Sequence, residues 1–465
     1  MKNPAKQVHP YIPNSAPEIT AAMLKDIGVA SIDELYADVP ERLRFKGEMN
    51  LPRPLPDEYS LKRHVDAILA KNRSTAECIS FLGGGCWPHY VPAICDEVNG
   101  RSEFLTAYAG EPYEDHGRFQ ALFEYESLMG ELLDMDVVNV PTFDWSQALS
   151  TSVRMAERIT GRPEVLVAGT MSPPRLAVLN NYCRQVMEVK TVDFHRETGL
   201  MDLDDLRAKL SGDVAAVFFE NPSYLGFIET QGEAIAKMVH ANGSILIVGA
   251  DPISLGVLKP PAHYGADIVC GDIQPLGMHQ LFGGAQAGFI ATHDEERFVM
   301  EFPSRLFGIT HTAVEGEWGF GDVAYERTSF AVREEGKEFI GTAAALWGIT
   351  AGVYLSLMGP KGMQDIGRTI LQKSQYAAQG LDALKGVTAP KFSSPGFKEF
   401  VVDFGGTGKS VAEINAGLLA RNIFGGKDLG EEFPELGGCA LFCVTEVHTR
   451  EDIDGMVQAV REIVQ

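Results

Sequence analysis

Between residues 164 and 292, short apolar runs alternate with helical segments, and this alternation constrains the fold more than any other feature of the chain. The runs are "EVLVA" (164–168), "VMEVKTVDF" (186–194), "VAAVFFE" (214–220), "ILIVGAD" (245–251), "DIVCGD" (267–272) and "GFIAT" (288–292). Between them lie "RLAVLNNYCRQ", "LDDLRAKL" and "GEAIAKMVHAN". A strand that is apolar throughout needs cover on both faces, so the pattern predicts an α/β fold with a mostly parallel central sheet and helices on both sides. Past residue 330 the helices lengthen, and "EFVVDF", "CALFCVTE" and the amphipathic "REDIDGMVQAVREIVQ" predict a smaller α+β C-terminal lobe. Upstream, "PNSAPEITAAMLKDIGV" and "SIDELYADVPERLRF" read as short helices, the second ending near Pro40. In "DEYSLKRHVDAILAKN" the residues Leu61, Val65, Ile68 and Leu69 form one apolar stripe of a longer helix. The expected division is an N-terminal helical arm or cap with a pocket loop (1–115), a large α/β domain (116–330) and a small α+β domain (331–465).

The 465 residues carry 40 Lys+Arg against 63 Asp+Glu, a net charge of −23. Such a field repels phosphates, which argues against nucleic acid or an anionic membrane as partner. Seven scattered cysteines without a Cys-x-x-Cys pair give no metal-ligand spacing and suit reduced thiols. The N-terminal residues show no signal-peptide run and no later stretch reads as a membrane span, so a cytoplasmic protein without a bound metal is expected.

Four segments invite a chemical reading. "DFGGTGKS" (403–410) ends like a phosphate-binding loop, but Asp403 stands where the first glycine belongs, so it reads as a turn. "FLGGGCWPHY" (81–90) has three consecutive glycines, which let the backbone pass close either to packed backbone or to a ligand. "NVPTFDWSQALSTSVRMA" (139–156) begins a helix at Asp144 and Ser146, as an ordinary N-cap or as an anion-binding terminus. Asp251 closes a core strand at the carboxyl edge of the sheet, where it can pair with a cationic ring or cap "PISLG".

The segments "YIPNSAPEITAAMLKDIGVASIDELYADVPERLR", "RSEFLTAYAGEPY", "FEYESLMGELLDMDVVNV", "DPISLGVLKPPAHYGADIV", "GDIQPLGMHQLFGGAQAGFIAT", "YLSLMGPKGM" and "DLGEEFPELGGCALFCVTEVHTREDID" resemble glycine decarboxylase, the P-protein of the glycine cleavage system, in the α subunit of its two-subunit bacterial form. The likeness runs nearly end to end. It implies fold type I of the pyridoxal-phosphate enzymes and a homologous β subunit, in an α2β2 assembly, that alone carries the Schiff-base lysine. Gln274 stands about where that lysine would be, and Asp251 keeps the place of the pyridinium partner. Because a carboxamide forms no imine, the resemblance implies that the partner subunit, not this chain, holds pyridoxal phosphate covalently. The complex would decarboxylate glycine, a small amino-acid substrate, and pass the aminomethyl group to a lipoyl carrier protein.

Family members read near "GAGAYDHYIP", "TPYQPEISQGTLQ", "YDGATA" and "RREKATSNICT" where this chain has "GGGCWPHYVP", "AGEPYEDHGRFQ", "FDWSQA" and "REEGKEFIGT". Trp87 replaces a Tyr-like position, Asp115 to Arg118 alter a Ser-Gln-Gly stretch, and Trp145 and Gln147 fill a small-residue turn. The pocket-facing candidates are Trp87, His89, Tyr90, Tyr113, His116, Arg118, Asp144 and Ser146. The altered loops keep two other readings open: a subunit repurposed to a different amine or amino acid, and a stand-alone binding or scaffold protein.

Overall fold

The structure is a computed structural model that describes residue 8 and residues 11–47, 49–104, 116–281, 286–323, 327–329, 334, 336–340 and 343–465. By backbone contacts the chain separates into two units, 1–72 and 73–465.

In the first unit, α1 (Pro17–Ile27) ends at Gly28 in the left-handed conformation, and α2 (Glu58–Leu69) starts where Asp57 accepts the Ser60 N–H. The segment "SIDELYADVPERLRF" forms only a 3₁₀ turn at Ile32–Tyr36 and another at Glu41–Leu43. Pro40 disfavours the helical conformation for the residue before it, and neither turn contains a buried residue, so no packed apolar face extends them into an α-helix. Neither α1 nor α2 contains a buried residue. The stripe Leu61, Val65, Ile68 and Leu69 is 41–54% exposed, and Tyr11, Phe45, Met49, Leu51 and Tyr59 are more exposed still.

The second unit is built on a seven-stranded sheet. Its elements are β1 (Ile79–Ser80), α3 (Ala93–Asn99), α4 (His116–Leu133), β2 (Val137–Val138), α5 (Trp145–Thr160), β3 (Glu164–Ala168), α6 (Pro173–Cys183), β4 (Glu188–Val192), α7 (Leu203–Lys209), β5 (Val214–Asn221), α8 (Gly232–Ala241), β6 (Ile245–Ala250), β7 (Ile268–Asp272) and β8 (Gly288–Thr292). The strand order is β2-β8-β7-β6-β5-β3-β4. Strands β3 to β7 pair in parallel, while β8 runs antiparallel to both β7 and β2. All eight residues of β5 are buried, as its unbroken apolar run predicts. One core cluster, with Leu246, Val248 and Phe219, fills one face of the sheet, and another, with Ala148, Val153 and Ile247, fills the other.

After α9 (Glu296–Val299) and the hairpin β9 (Phe307–His311) and β10 (Trp318–Asp322), a long helix α10 (Ala345–Asp382), broken at Gly359–Pro360, leads to the small lobe. There β11 (Glu399–Asp403), α11 (Val411–Leu419), β12 (Ile423–Phe424), β13 (Lys427–Asp428), β14 (Cys439–Cys443) and α12 (Arg450–Val464) enclose their own core of Phe400, Phe442, Ile414 and Val460. The small sheet has the order β11-β14-β13, and β1 pairs in parallel with β12. "DFGGTGKS" is a turn: Asp403 binds Lys391, and Ser410 forms a capping box with Glu413 at the start of α11. Among the described residues no helix is long and apolar enough to cross a membrane.

Candidate functional site

The parallel strands carry three acidic residues to one edge. Glu220 is the penultimate residue of β5, Asp251 follows β6, and Asp272 ends β7. In the row across the sheet Gly249 lies between Glu220 and Cys270. A Cβ at Gly249 would come within 2.9 Å of the Trp145 ring and 3.1 Å of Phe218, so the glycine makes room for the indole. Trp145 enters there because Asp144 caps α5, accepting the Gln147 N–H at 2.7 Å. The Arg175 guanidinium of α6 lies 3.7 Å from the Trp145 ring centroid and donates to Glu220 Oε1 at 2.7 Å. Both partners are buried, and Glu220 also accepts the Tyr224 N–H. A charge taken out of water in this way needs its partner, since neither is hydrated.

The small lobe supplies the opposite wall. Lys398, just before β11, is buried, and its ammonium lies 2.7 Å from Asp251 Oδ2, 3.2 Å from His89 Nε2 and 3.4 Å from the Trp87 ring centroid. Three acceptors thus surround three N–H groups. Because an ammonium only donates, His89 Nε2 must accept, which leaves the ring proton on Nδ1 to donate to Glu446 Oε2 at 2.8 Å. Glu446 Oε1 accepts the Tyr90 N–H at 2.7 Å, so both carboxylate oxygens are engaged. Asp251 caps the following turn, its Oδ1 accepting the Ile253 N–H, while its Oδ2 faces an ammonium and not a ring. The cation is the chain's own lysine.

The triple glycine meets packed backbone and side chains. Gly83 N–H donates to Leu441 O, and Gly84, at φ +105°, donates to Glu399 Oε1 at 2.7 Å. A Cβ on Gly83 would sit 2.8 Å from Leu441 and 2.9 Å from Glu399.

Two residues past β7, Gln274 is buried, and its amide donates to Met278 O at 3.0 Å. Among the described residues its Oε1 has no hydrogen-bond partner, and neither has Asp272 Oδ2. Asp272 Oδ1 accepts from the Gln274 and Ala287 backbones. Burial nevertheless pushes the Asp272 carboxyl up to about 7. An acid with a raised folded pKa binds its proton more tightly when folded, so stability falls as pH rises from about 4 to about 7 and is level above. Asp272→Asn is therefore expected to gain stability relative to the parent as pH rises from 5 to 8. Urea midpoints at the two pH values test this, and a pH-independent difference would refute it.

Of the residues singled out in sequence, Trp87 and Asp251 line the space between the walls, and His89 reaches it through Lys398. Asp144 and the buried Ser146 start α5. Tyr90 is 64% exposed and contributes its backbone, and Arg118 is buried in α4. Tyr113 and the side chain of His116 lie outside the described residues. Sequence reading passed over Arg175, Glu220 and Lys398. A charged residue ending the apolar run "VAAVFFE", and a lysine inside "GFKEFVVDF", were the signals present.

The space enclosed by these side chains is about 20 Å³, room for about one water molecule. Sites for small molecules and cofactors run to roughly 300 Å³ and more. A pyridoxal phosphate ring would meet Trp145 and Lys398, and its nitrogen would find Asp251 already paired. The residues present do not fit that cofactor.

A family model described as glycine cleavage system P-protein matches residues 9–460. The chain is 38% identical over 465 residues to a probable glycine dehydrogenase (decarboxylating) subunit 1 of Staphylothermus marinus, covering 98% of each. It is 40% identical over 466 residues to the protein of the same description from Aeropyrum pernix, covering 97% of this chain and 98% of that one. Among solved structures, a glycine decarboxylase (P-protein) of the glycine cleavage system in inhibitor-bound form superposes with a TM-score of 0.84 at 32% identity, over 98% of this chain and 100% of the other. A sphingosine-1-phosphate lyase of Burkholderia pseudomallei shares the fold, with a TM-score of 0.65 at 14% identity over 92% of this chain and 94% of that one.

Proposed function

Since this chain belongs to the glycine cleavage system P-protein family, with a fold of the type I pyridoxal-phosphate class, we propose that it is the non-catalytic α subunit of a glycine decarboxylase complex. Its homologous partner carries the Schiff-base lysine and the cofactor, and the two assemble as α2β2. The observation that carries this reading is the buried carboxamide of Gln274 just past β7, where no amine is available. Lys398 does not replace it: an ammonium whose three donors face a carboxylate, an imidazole and an indole has no lone pair to attack a carbonyl. Decarboxylation of glycine then takes place in the partner, and the aminomethyl group leaves on a lipoyl carrier protein. This chain contributes walls, water exclusion and a docking face. Residues 11–69 do not bury their large apolar side chains among themselves, so this segment needs a further surface to cover it, and a partner subunit would supply one.

Glycine–bicarbonate exchange tests the proposal. Exchange is expected from the reconstituted pair with lipoyl carrier, and from neither chain alone. Exchange by the partner at full rate without this chain would refute the role, and activity of the pair on another amino acid but not on glycine would refute the substrate.

A further inference from the structure

The geometry points to a cleft sealed by the chain's own cations: Lys398 occupies the place of a cationic ring between Trp87 and Asp251, and Arg175 clamps Trp145 against Glu220, so pyridoxal phosphate is excluded by occupancy and not only by the loss of a lysine. This goes beyond the proposed function and rests on it only in taking the chain as the cofactor-free subunit.

A pyridinium ring held in a protein offers a delocalised positive charge, a flat face for an aromatic neighbour and an N–H for a carboxylate. Lys398 supplies from within a positive charge, localised on one nitrogen, against an aromatic ring and an N–H for the carboxylate, with its ammonium 3.4 Å from the Trp87 ring centroid and 2.7 Å from Asp251 Oδ2. On the sheet side the Arg175 guanidinium covers Trp145 at 3.7 Å and closes on Glu220 at 2.7 Å. Trp145 rests in the gap that only a glycine at 249 leaves. Lys398 is paired with Asp251 and Arg175 with Glu220, so neither of these two cations is left over to draw in a cofactor phosphate. The remaining cavity, about 20 Å³, admits one water. Restoring an amine at position 274 would therefore leave it without access to an aldehyde.

The test uses the full chain without a partner, incubated with pyridoxal phosphate. An amine condenses with the aldehyde, releasing water, and borohydride reduces the product to a stable secondary amine that peptide mass spectrometry locates. Parent chain and Gln274→Lys are expected to show no label at position 274 or at Lys398. Gln274→Lys combined with Lys398→Asn and Trp145→Gly is expected to label position 274 at least tenfold more. Gln274→Lys with Trp145→Gly alone keeps the Asp251 ion pair and is expected to fall between. Label at position 274 in the single Gln274→Lys variant equal to that in the opened variants overturns the inference, and so does label at Lys398 in the parent. Opened variants that melt cooperatively yet gain no label overturn it as well. The readout is separate from exchange by the complex, so failure here is distinguishable from failure of the proposed function.

Discussion

The Lys398→Met variant is expected to lose about 3–5 kcal/mol of folding stability, the cost of leaving one member of a buried ion pair without its partner. The loss arises from what remains behind. Asp251 is 4% exposed, its Oδ2 faces Lys398, and no water-filled space adjoins it beyond a cavity of about 20 Å³. His89 Nε2 loses its donor at the same time. Adding Asp251→Asn to Lys398→Met should recover more than half of the loss, since an amide carries no charge and still accepts the Ile253 N–H. Urea unfolding of the parent, the two single variants and the double variant gives the coupling energy directly. Additive single losses would show that the two side chains are not paired in solution. A Lys398→Met variant as stable as the parent would show that Asp251 is hydrated or protonated there.

Deleting residues 1–72 is expected to leave residues 73–465 folded and to abolish co-purification with the lysine-bearing partner proposed above. The first half follows from the division of the chain into two units and from the absence of any buried residue in α1 and α2. The second follows from the apolar stripe of α2 and from Tyr11, Phe45, Met49, Leu51 and Tyr59, whose burial against a partner would be favourable by roughly 25 cal/mol per Å² before the costs of association. The measurements are the melting profile of the truncated chain and affinity pull-down of the tagged partner. Persistent co-purification would place the interface elsewhere, and loss of the cooperative transition would mean that the arm stabilises the body.

The strands of the large sheet were legible in sequence because they are buried on both faces. "VAAVFFE" and "ILIVGAD" differ from β5 and β6 only at their ends. The small lobe was legible for the same reason at "EFVVDF" and "CALFCVTE". "SIDELYADVPERLRF" was not, because its periodicity suits a helix while no packed apolar face extends its turns into one. At the site, Asp251 could be placed because it follows a strand whose boundary is plain, whereas Gln274, two residues past β7, was singled out only through the family resemblance. Arg175, Glu220 and Lys398 were missed for a different reason. Arg175 meets Glu220 across 45 positions of sequence and Lys398 meets Asp251 across 147, and no local pattern records which buried cation faces which carboxylate. Trp145 was noticed as a bulky residue in a turn, but that it packs over Gly249 depends on the register of β5, β6 and β7.

Lys398 enters from the lobe that holds β11, while Asp251 ends a strand of the large sheet. The bond between them bridges the joint about which two such bodies would swing. Each opening there would pull two buried charges apart. A single pair of charges, set between the start of a strand of one lobe and the turn after a strand of the other, thus acts as a latch on this chain.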